Sequence, residues 1–304
     1  MRNVLIGLAA VLAVLAAAGA ATLYLAPGAV VAVTQAMAAR SAGLAARTVE
    51  ADGTLAHYYD GGEGPPVVLL HGMADEKTSF VGAARELTDA HRVVLPDLLG
   101  HGANARDPSR DLSVAGQAAY LDSFVTALGL DRFALGGNSM GGHVAAAYAA
   151  AHPDKVTRLV LVNAPGLPVE GHEVYGGFAE PIATREDFDA LMARVVADPP
   201  TVPGPVKDHL IARANADFDF INTAAGAVRE GEGYDLTGGA RNIAVPTLIL
   251  WGEEDAVVPR AVADGYDRLI PDSTLTLLPG AGHSPQLEQP ETVGRAIRAF
   301  LDGG

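Results

Sequence analysis

The chain has 304 residues, no cysteine, and a formal net charge of −15 from 36 acidic and 21 basic side chains. Without thiols it has no disulfide framework, no thiolate metal site and no cysteine nucleophile, and its acidic balance offers no electrostatic footprint for nucleic acid. Hydrophobic residues make up 49% of the chain but aromatic residues only 6%, which argues against disorder and for an aliphatic core of α/β size.

The first element is apolar. The 23 residues from Val4 to Ala26 carry no charge. As a helix they would span about 34 Å, against about 30 Å for a hydrocarbon core. The expectation is an uncleaved membrane anchor through residues 4–26, with the rest of the chain on the extracytoplasmic side. The alternative is secretion after signal cleavage at a small-x-small site such as Ala18-Gly19-Ala20. Residues 27–44 are Ala-rich and read as a helical stalk, so residues 1–44 form one unit of anchor and stalk.

Asp52-Gly53 between Thr48-Val49 and Leu55–Tyr59 reads as a hairpin. Val67–Leu70 is a wholly apolar run, as expected of a strand buried on both faces of a parallel sheet. Similar runs follow at 92–96, 132–136 and 158–162. Between two of them Val114, Ala118, Leu121, Val125 and Leu128 recur at helical spacing after Ser113, a good N-cap. Alternating strands and helices predict a doubly wound, mostly parallel α/β sheet. The alternation stops over 165–242. There Thr184–Asp187 resembles a capping box, and Phe188, Leu191, Met192, Val195 and Val196 form a helical stripe ended by Pro199-Pro200. This stretch reads as a helical lid inserted between two core segments, 45–164 and 243–304. Strands resume at 247–251 and 274–278, and a last helix carries Val293, Ile297 and Phe300.

Gly137-Asn138-Ser139-Met140-Gly141 follows an apolar strand and opens a helix of small residues, which is the nucleophile-elbow pattern. The glycines at 137 and 141 suit a strained turn in which a Cβ would strike neighbouring backbone. A serine hydroxyl needs a base and an orienter. Ser139, Asp255 and His283 occur in the chain order of that pattern, the last two just beyond strands, on the rim where open α/β sheets place their sites. Backbone N–H groups of Met140 and of Met73, in the loop His71-Gly72-Met73, are the candidate oxyanion donors. The other histidines read as structural, His71 shaping the oxyanion loop and His143 packing. No metal-binding spacing and no phosphate loop is present, so no metal and no cofactor is expected.

These motifs, with Asp97–Gly102, Trp251–Asp255 with Val258-Pro259, and Gly280–His283 with Glu288-Gln289-Pro290, resemble the α/β-hydrolase family over residues 45–302. Within it, the chain is similar to membrane-associated bacterial lipases and esterases and to monoacylglycerol lipases, which share Lys77 after the oxyanion loop. The resemblance implies a serine carboxylic-ester hydrolase acting on small lipophilic acyl esters, with triad Ser139, Asp255 and His283 and a lid at 165–242. Phe178, Phe188, Leu191, Met192, Phe218 and Phe220 are the candidate acyl-pocket residues. Two alternatives remain: a C–C bond hydrolase of a ring-fission diketone with the same triad, and a non-catalytic scaffold. The C–C hydrolases usually carry Trp after the catalytic histidine, where this chain has Ser284.

Overall fold

The computed structural model describes residues 24–303. Its centre is an eight-stranded sheet. β1 (Leu44–Ala51) and β2 (Thr54–Gly61) form the hairpin, turning at Asp52-Gly53, and β2 pairs antiparallel with β4 (Arg92–Pro96). From there the sheet is parallel. β4 lies beside β3 (Pro66–Leu70), then come β5 (Phe133–Asn138), β6 (Val156–Val162), β7 (Thr247–Gly252) and β8 (Ser273–Leu278).

The apolar strand runs are explained by burial on both faces. Val68, Leu70, Val94, Leu159, Leu161, Ile249 and Trp251 belong to one core cluster, while Val67, Leu69, Val93, Leu95, Val160 and Leu250 belong to the other. This is the two-residue period of a strand sandwiched between helix layers. The first cluster is closed by α3 (Val114–Ala127), α4 (Met140–Ala151) and α9 (Arg260–Leu269). The second is closed by α2 (Val81–Ala84) and α11 (Pro290–Asp302). Ser113 caps α3 as its sequence suggested, its hydroxyl accepting from the Gly116 N–H at 3.1 Å.

The expected membrane anchor is corrected. No helix among the described residues is long and apolar enough to cross a membrane. Most of the apolar run, residues 4–23, lies outside the described residues. The first full helix, α1 (Pro27–Ser41), has 15 residues, or about 22 Å, short of a hydrocarbon core. It lies against the body: Ala39 and Ala42 are buried, the Arg85 guanidinium donates to Ser41 Oγ at 2.7 Å, and the Thr88 hydroxyl donates to Ala42 O at 2.9 Å. The localisation that rested on the anchor is withdrawn with it.

Between β6 and β7 the chain leaves the sheet and builds a helical cap. Its helices are α5 (Arg185–Val195), α6 (Gly204–Ala216), α7 (Phe218–Glu230) and the short α8 (Thr237–Ala240). The Thr184/Asp187 capping box is formed in both directions at the start of α5. One imidazole pins both ends of the cap to the core. His143, on α4, donates from Nε2 to Gly233 O at 3.1 Å and accepts at Nδ1 from the Tyr175 hydroxyl at 3.0 Å. The carbonyl partner requires the proton on Nε2, and because burial keeps the ring neutral, Nδ1 is left as the acceptor.

Burial holds His143 down to about 4, and burial with the neighbouring His71 holds His101 down to about 3. Both are therefore neutral in the fold, whereas an unfolded histidine takes up a proton near pH 6.5. The unfolded chain binds more protons throughout the window from about 6.5 to 4, so stability is complete above it and is lost as pH falls. Each ring adds at most about 1.4 kcal/mol per pH unit. Urea midpoints should fall steadily from pH 7 to pH 4.5. A flat profile over that range would refute the assignment.

Candidate active site

The carboxyl ends of β3 to β8 share one rim, and the loops leaving them converge there, as open α/β sheets require of their sites. Ser139 stands between β5 and α4 with φ 52° and ψ −125°, a left-handed conformation that costs a non-glycine residue on the order of 1–3 kcal/mol. The surrounding glycines make it possible. A Cβ on Gly137 would lie 2.4 Å from Gly141 C, and one on Gly141 would lie 2.4 Å from the carbonyl oxygens of Leu70 and His71. The serine backbone is clamped by its N–H to Val162 O at 3.0 Å and by the His143 N–H to its own carbonyl at 3.0 Å.

The 71–79 loop lies directly over the serine, where a Cβ on Gly72 would be 3.2 Å from Ser139 Cβ. His71 sets its backbone. The Leu98 N–H donates to His71 Nε2 at 3.0 Å, so the ring proton sits on Nδ1, which donates to Gly72 O at 2.7 Å. The described backbone has no cis peptide. With the Gly72 oxygen turned toward the imidazole, the Met73 N–H across the same trans plane points the opposite way. Met140 is the first residue of α4, so its N–H has no intrahelical partner.

The 71–79 loop is secured by charge. The fully buried Asp97 carboxylate accepts from the Lys77 N–H at 2.7 Å, from Lys77 Nζ at 2.6 Å and from the Ala103 N–H at 2.9 Å. Next to it, Glu76 accepts from Gln35 of α1 at 2.7 Å and from Arg213 of α6 at 2.5 Å. Burial works against the Glu76 carboxylate, but the Arg213 hydrogen bond and charge outweigh it and hold its pKa below the usual range. The loop thus touches both the amino-terminal helix and the cap.

Across the rim, His283 Nδ1 donates to Asp255, at 3.0 Å from Oδ2 and 3.1 Å from Oδ1. Both side chains are nearly inaccessible, at 7% and 1%. Asp255 also accepts from the N–H groups of Val257 and Val258, at 2.8 and 3.0 Å, and from Asn163 Nδ2 at 2.5 Å. Burial raises its pKa, yet the bonds from His283, Asn163 and Val258 outweigh that and leave it below the ordinary carboxylate value. It is ionised at neutral pH and fixes the His283 proton on Nδ1.

Two asparagines outside the expected site complete it. Asn163, at the end of β6 with φ 46°, donates to Asp255 and accepts from the Gly252 N–H at 3.1 Å. Asn138 donates to His283 O at 2.9 Å, tying the residue before the serine to the loop of the histidine. Their signal in the sequence was an amide at a strand terminus, which spacing does not distinguish from a turn residue. The six acyl-pocket candidates are dispersed. Phe220 reaches the rim, its ring Cζ 2.4 Å from where a Gly100 Cβ would stand. Phe188 is buried within the cap with Lys207 Nζ 5.9 Å from its ring centroid, and Leu191 and Met192 are half-buried on the same helix. Phe218 is half-buried, and Phe178 is 39% exposed.

A strained serine at a strand–helix turn, a buried carboxylate–imidazole pair and a looped-back backbone over them define the class: an α/β hydrolase by fold and by rim geometry. Residues 67–296 match the model of the alpha/beta hydrolase family, so the chain belongs to that family. Over 100% of this chain and 99% of the other, it is similar to a membrane phospholipase A, described as a bacterial virulence factor, at 32% identity and a TM-score of 0.86. Lipase 3 of Moraxella sp. is 30% identical over 79% of this chain and 78% of its own length. The 2-hydroxy-6-oxo-6-(2'-aminophenyl)hexa-2,4-dienoic acid hydrolase of Metapseudomonas resinovorans is 29% identical over 84% of this chain and 90% of its own.

Replacing Gly141 by Ala should destabilise the protein by about 2–3 kcal/mol, since the new methyl meets the carbonyl oxygens of Leu70, which is held by strand pairing, and of the His71 that follows it. Equilibrium urea unfolding reads this directly, and a loss under about 0.5 kcal/mol would contradict the glycine argument.

Proposed function

We propose that the chain is a serine carboxylic-ester hydrolase acting on lipophilic acyl esters, with Ser139, His283 and Asp255 as its triad. The observation that carries this reading is the Asp255–His283 pair, held on the rim that presents the strained Ser139. With its proton on Nδ1, His283 keeps Nε2 free to accept the serine proton as Oγ attacks the ester carbonyl. The tetrahedral oxyanion is received by the N–H groups of Met73 and Met140, each worth about 3–4 kcal/mol in the transition state. His283 then returns the proton to the leaving alcohol, and Asp255 stabilises the imidazolium without taking the proton itself. Water activated by the same imidazole hydrolyses the acyl-enzyme. The helices over 165–242 act as the lid of this site. The lipase relative and the phospholipase neighbour support an ester as substrate, and Ser284 after the histidine argues for ester over diketone cleavage.

The test is a substrate panel on the full chain: p-nitrophenyl esters of rising acyl length, a monoacylglycerol, a diacyl glycerophospholipid and a ring-fission diketone. Ester turnover with fluorophosphonate labelling is expected, with Ser139→Ala abolishing both and lowering kcat on the order of 10⁴-fold or more. Turnover of the diketone alone would transfer the assignment to C–C hydrolysis. Labelling that survives Ser139→Ala would refute the nucleophile.

A further inference from the structure

The loop that carries His283 is not closed by the core alone. Three consecutive backbone N–H groups there, of residues 282, 283 and 284, need acceptors. The His283 N–H donates to Val195 O at 3.0 Å, the last residue of cap helix α5. The two flanking N–H groups go to one side chain, the carboxylate of Glu288 at the end of α10 (Pro285–Glu288). The Gly282 N–H lies 3.0 Å from Oε1 and 2.9 Å from Oε2, and the Ser284 N–H lies 3.3 Å from Oε1. The same carboxylate accepts the cap's Ala197 N–H at 2.8 Å. One anion therefore receives backbone donors from both sides of the base and from the cap.

The glycine at 282 fits the same arrangement. A Cβ there would stand 2.8 Å from Ala197 N, 3.2 Å from Val196 C and 3.3 Å from Glu288 Oε1. The cap backbone runs so close to the base loop that no side chain fits between them. Charge-assisted bonds to backbone N–H groups are about twice as strong as neutral ones. A half-satisfied set of partly buried donors costs more than it contributes.

We propose that Glu288 is a positioning residue that fastens the cap segment 195–197 to the loop of the base. His283 then takes its working place only when that segment is docked. This rests on the hydrolase reading above. It makes the cap part of the catalytic geometry as well as a cover, because displacement of 195–197 removes an acceptor from the His283 N–H and a donor from the carboxylate that holds both its neighbours. Reaction rates are steep in such misplacement, by as much as 10²-fold for about 1 Å.

The experiment compares the full chain with Glu288→Ala, Glu288→Gln and Gly282→Ala. It measures kcat per active site titrated with a fluorophosphonate, KM on p-nitrophenyl butyrate, and amide exchange over 195–200 and 280–286. Glu288→Ala and Gly282→Ala should each lower kcat per titrated site about tenfold or more, with KM within about twofold and faster exchange in both segments. Glu288→Gln, which keeps one acceptor oxygen, should fall between. A role confined to folding would lower the titratable fraction and leave kcat per site unchanged, and that result overturns the proposal. Unaltered exchange at 195–200 in Glu288→Ala overturns it too. If Glu288→Ala does not fold, Glu288→Gln is judged by the same criteria, with a loss under about twofold counting against it. If the parent chain turns over no ester, the hydrolase reading fails by itself, and the exchange measurement still decides the fastening.

Discussion

The constraint on which the structure depends is the backbone of Ser139, held at φ 52° where a side chain is disfavoured. The turn persists because everything around it is over-determined. Strand β5 is hydrogen-bonded on both sides, to β3 and to β6, so the residues entering the turn cannot shift. The glycines at 137, 141 and 142 let the elbow, the start of α4 and Ala164 approach closer than any Cβ permits. Two clusters of apolar side chains, one on each face of the sheet, stabilise the platform. The strain at one residue is thus offset by packing spread over the whole sheet.

Around that turn, the hydrogen bonds of three imidazoles are set by the groups that face them. His71 has its proton on Nδ1 because Leu98 donates to Nε2, and His143 has it on Nε2 because Gly233 presents a carbonyl. His283 has it on Nδ1 because Asp255 is ionised beside it. In each case a backbone group or a carboxylate makes the choice, and a buried ring has no water with which to reverse it. The asparagines extend the same logic. Asn163 steadies the Asp255 carboxylate and Asn138 steadies the backbone of His283, each through an amide N–H.

The cap is attached to this apparatus at points that matter chemically. His143 holds its two ends at Tyr175 and Gly233, and Arg213 meets Glu76 of the 71–79 loop. Arg106 of the rim pairs with Asp217 between α6 and α7, and Val195 and Ala197 meet the loop of His283. The first attachment is a buried pair of hydrogen bonds on a neutral ring and the ion pairs are partly exposed, so they differ in strength: exposed ion pairs contribute about 0–1 kcal/mol each, and leaving a buried hydrogen-bonding group without its partner costs about 1–3 kcal/mol.

Much of this was legible in the chain. Apolar runs with a two-residue period implied a doubly buried parallel sheet, and the strand–glycine–serine–glycine–helix succession marked the elbow. The order Ser139, Asp255, His283 and the positions of the last two beyond strands nominated the carboxylate–imidazole pair that the structure brings to 3.0 Å. Such features are local or periodic, and backbone sterics and burial dictate them residue by residue. Other features were not legible. Asn163 meets Asp255, Asn138 meets the His283 carbonyl and Glu288 meets the cap at Ala197 across 92, 145 and 91 residues of sequence, and no spacing rule reaches that far. The aromatic residues of the cap carry helical periodicity whether they line a pocket or pack on one another, so Phe188 and Phe220 looked alike until the fold separated them. An uncharged run of spanning length at residues 4–26 suggested an anchor, but hydropathy measures only what a segment tolerates. Residue types and their order determined the chemistry available to this protein. Only the tertiary structure decided which groups satisfy the loop of His283, because hydrogen-bond partners are chosen by proximity in space.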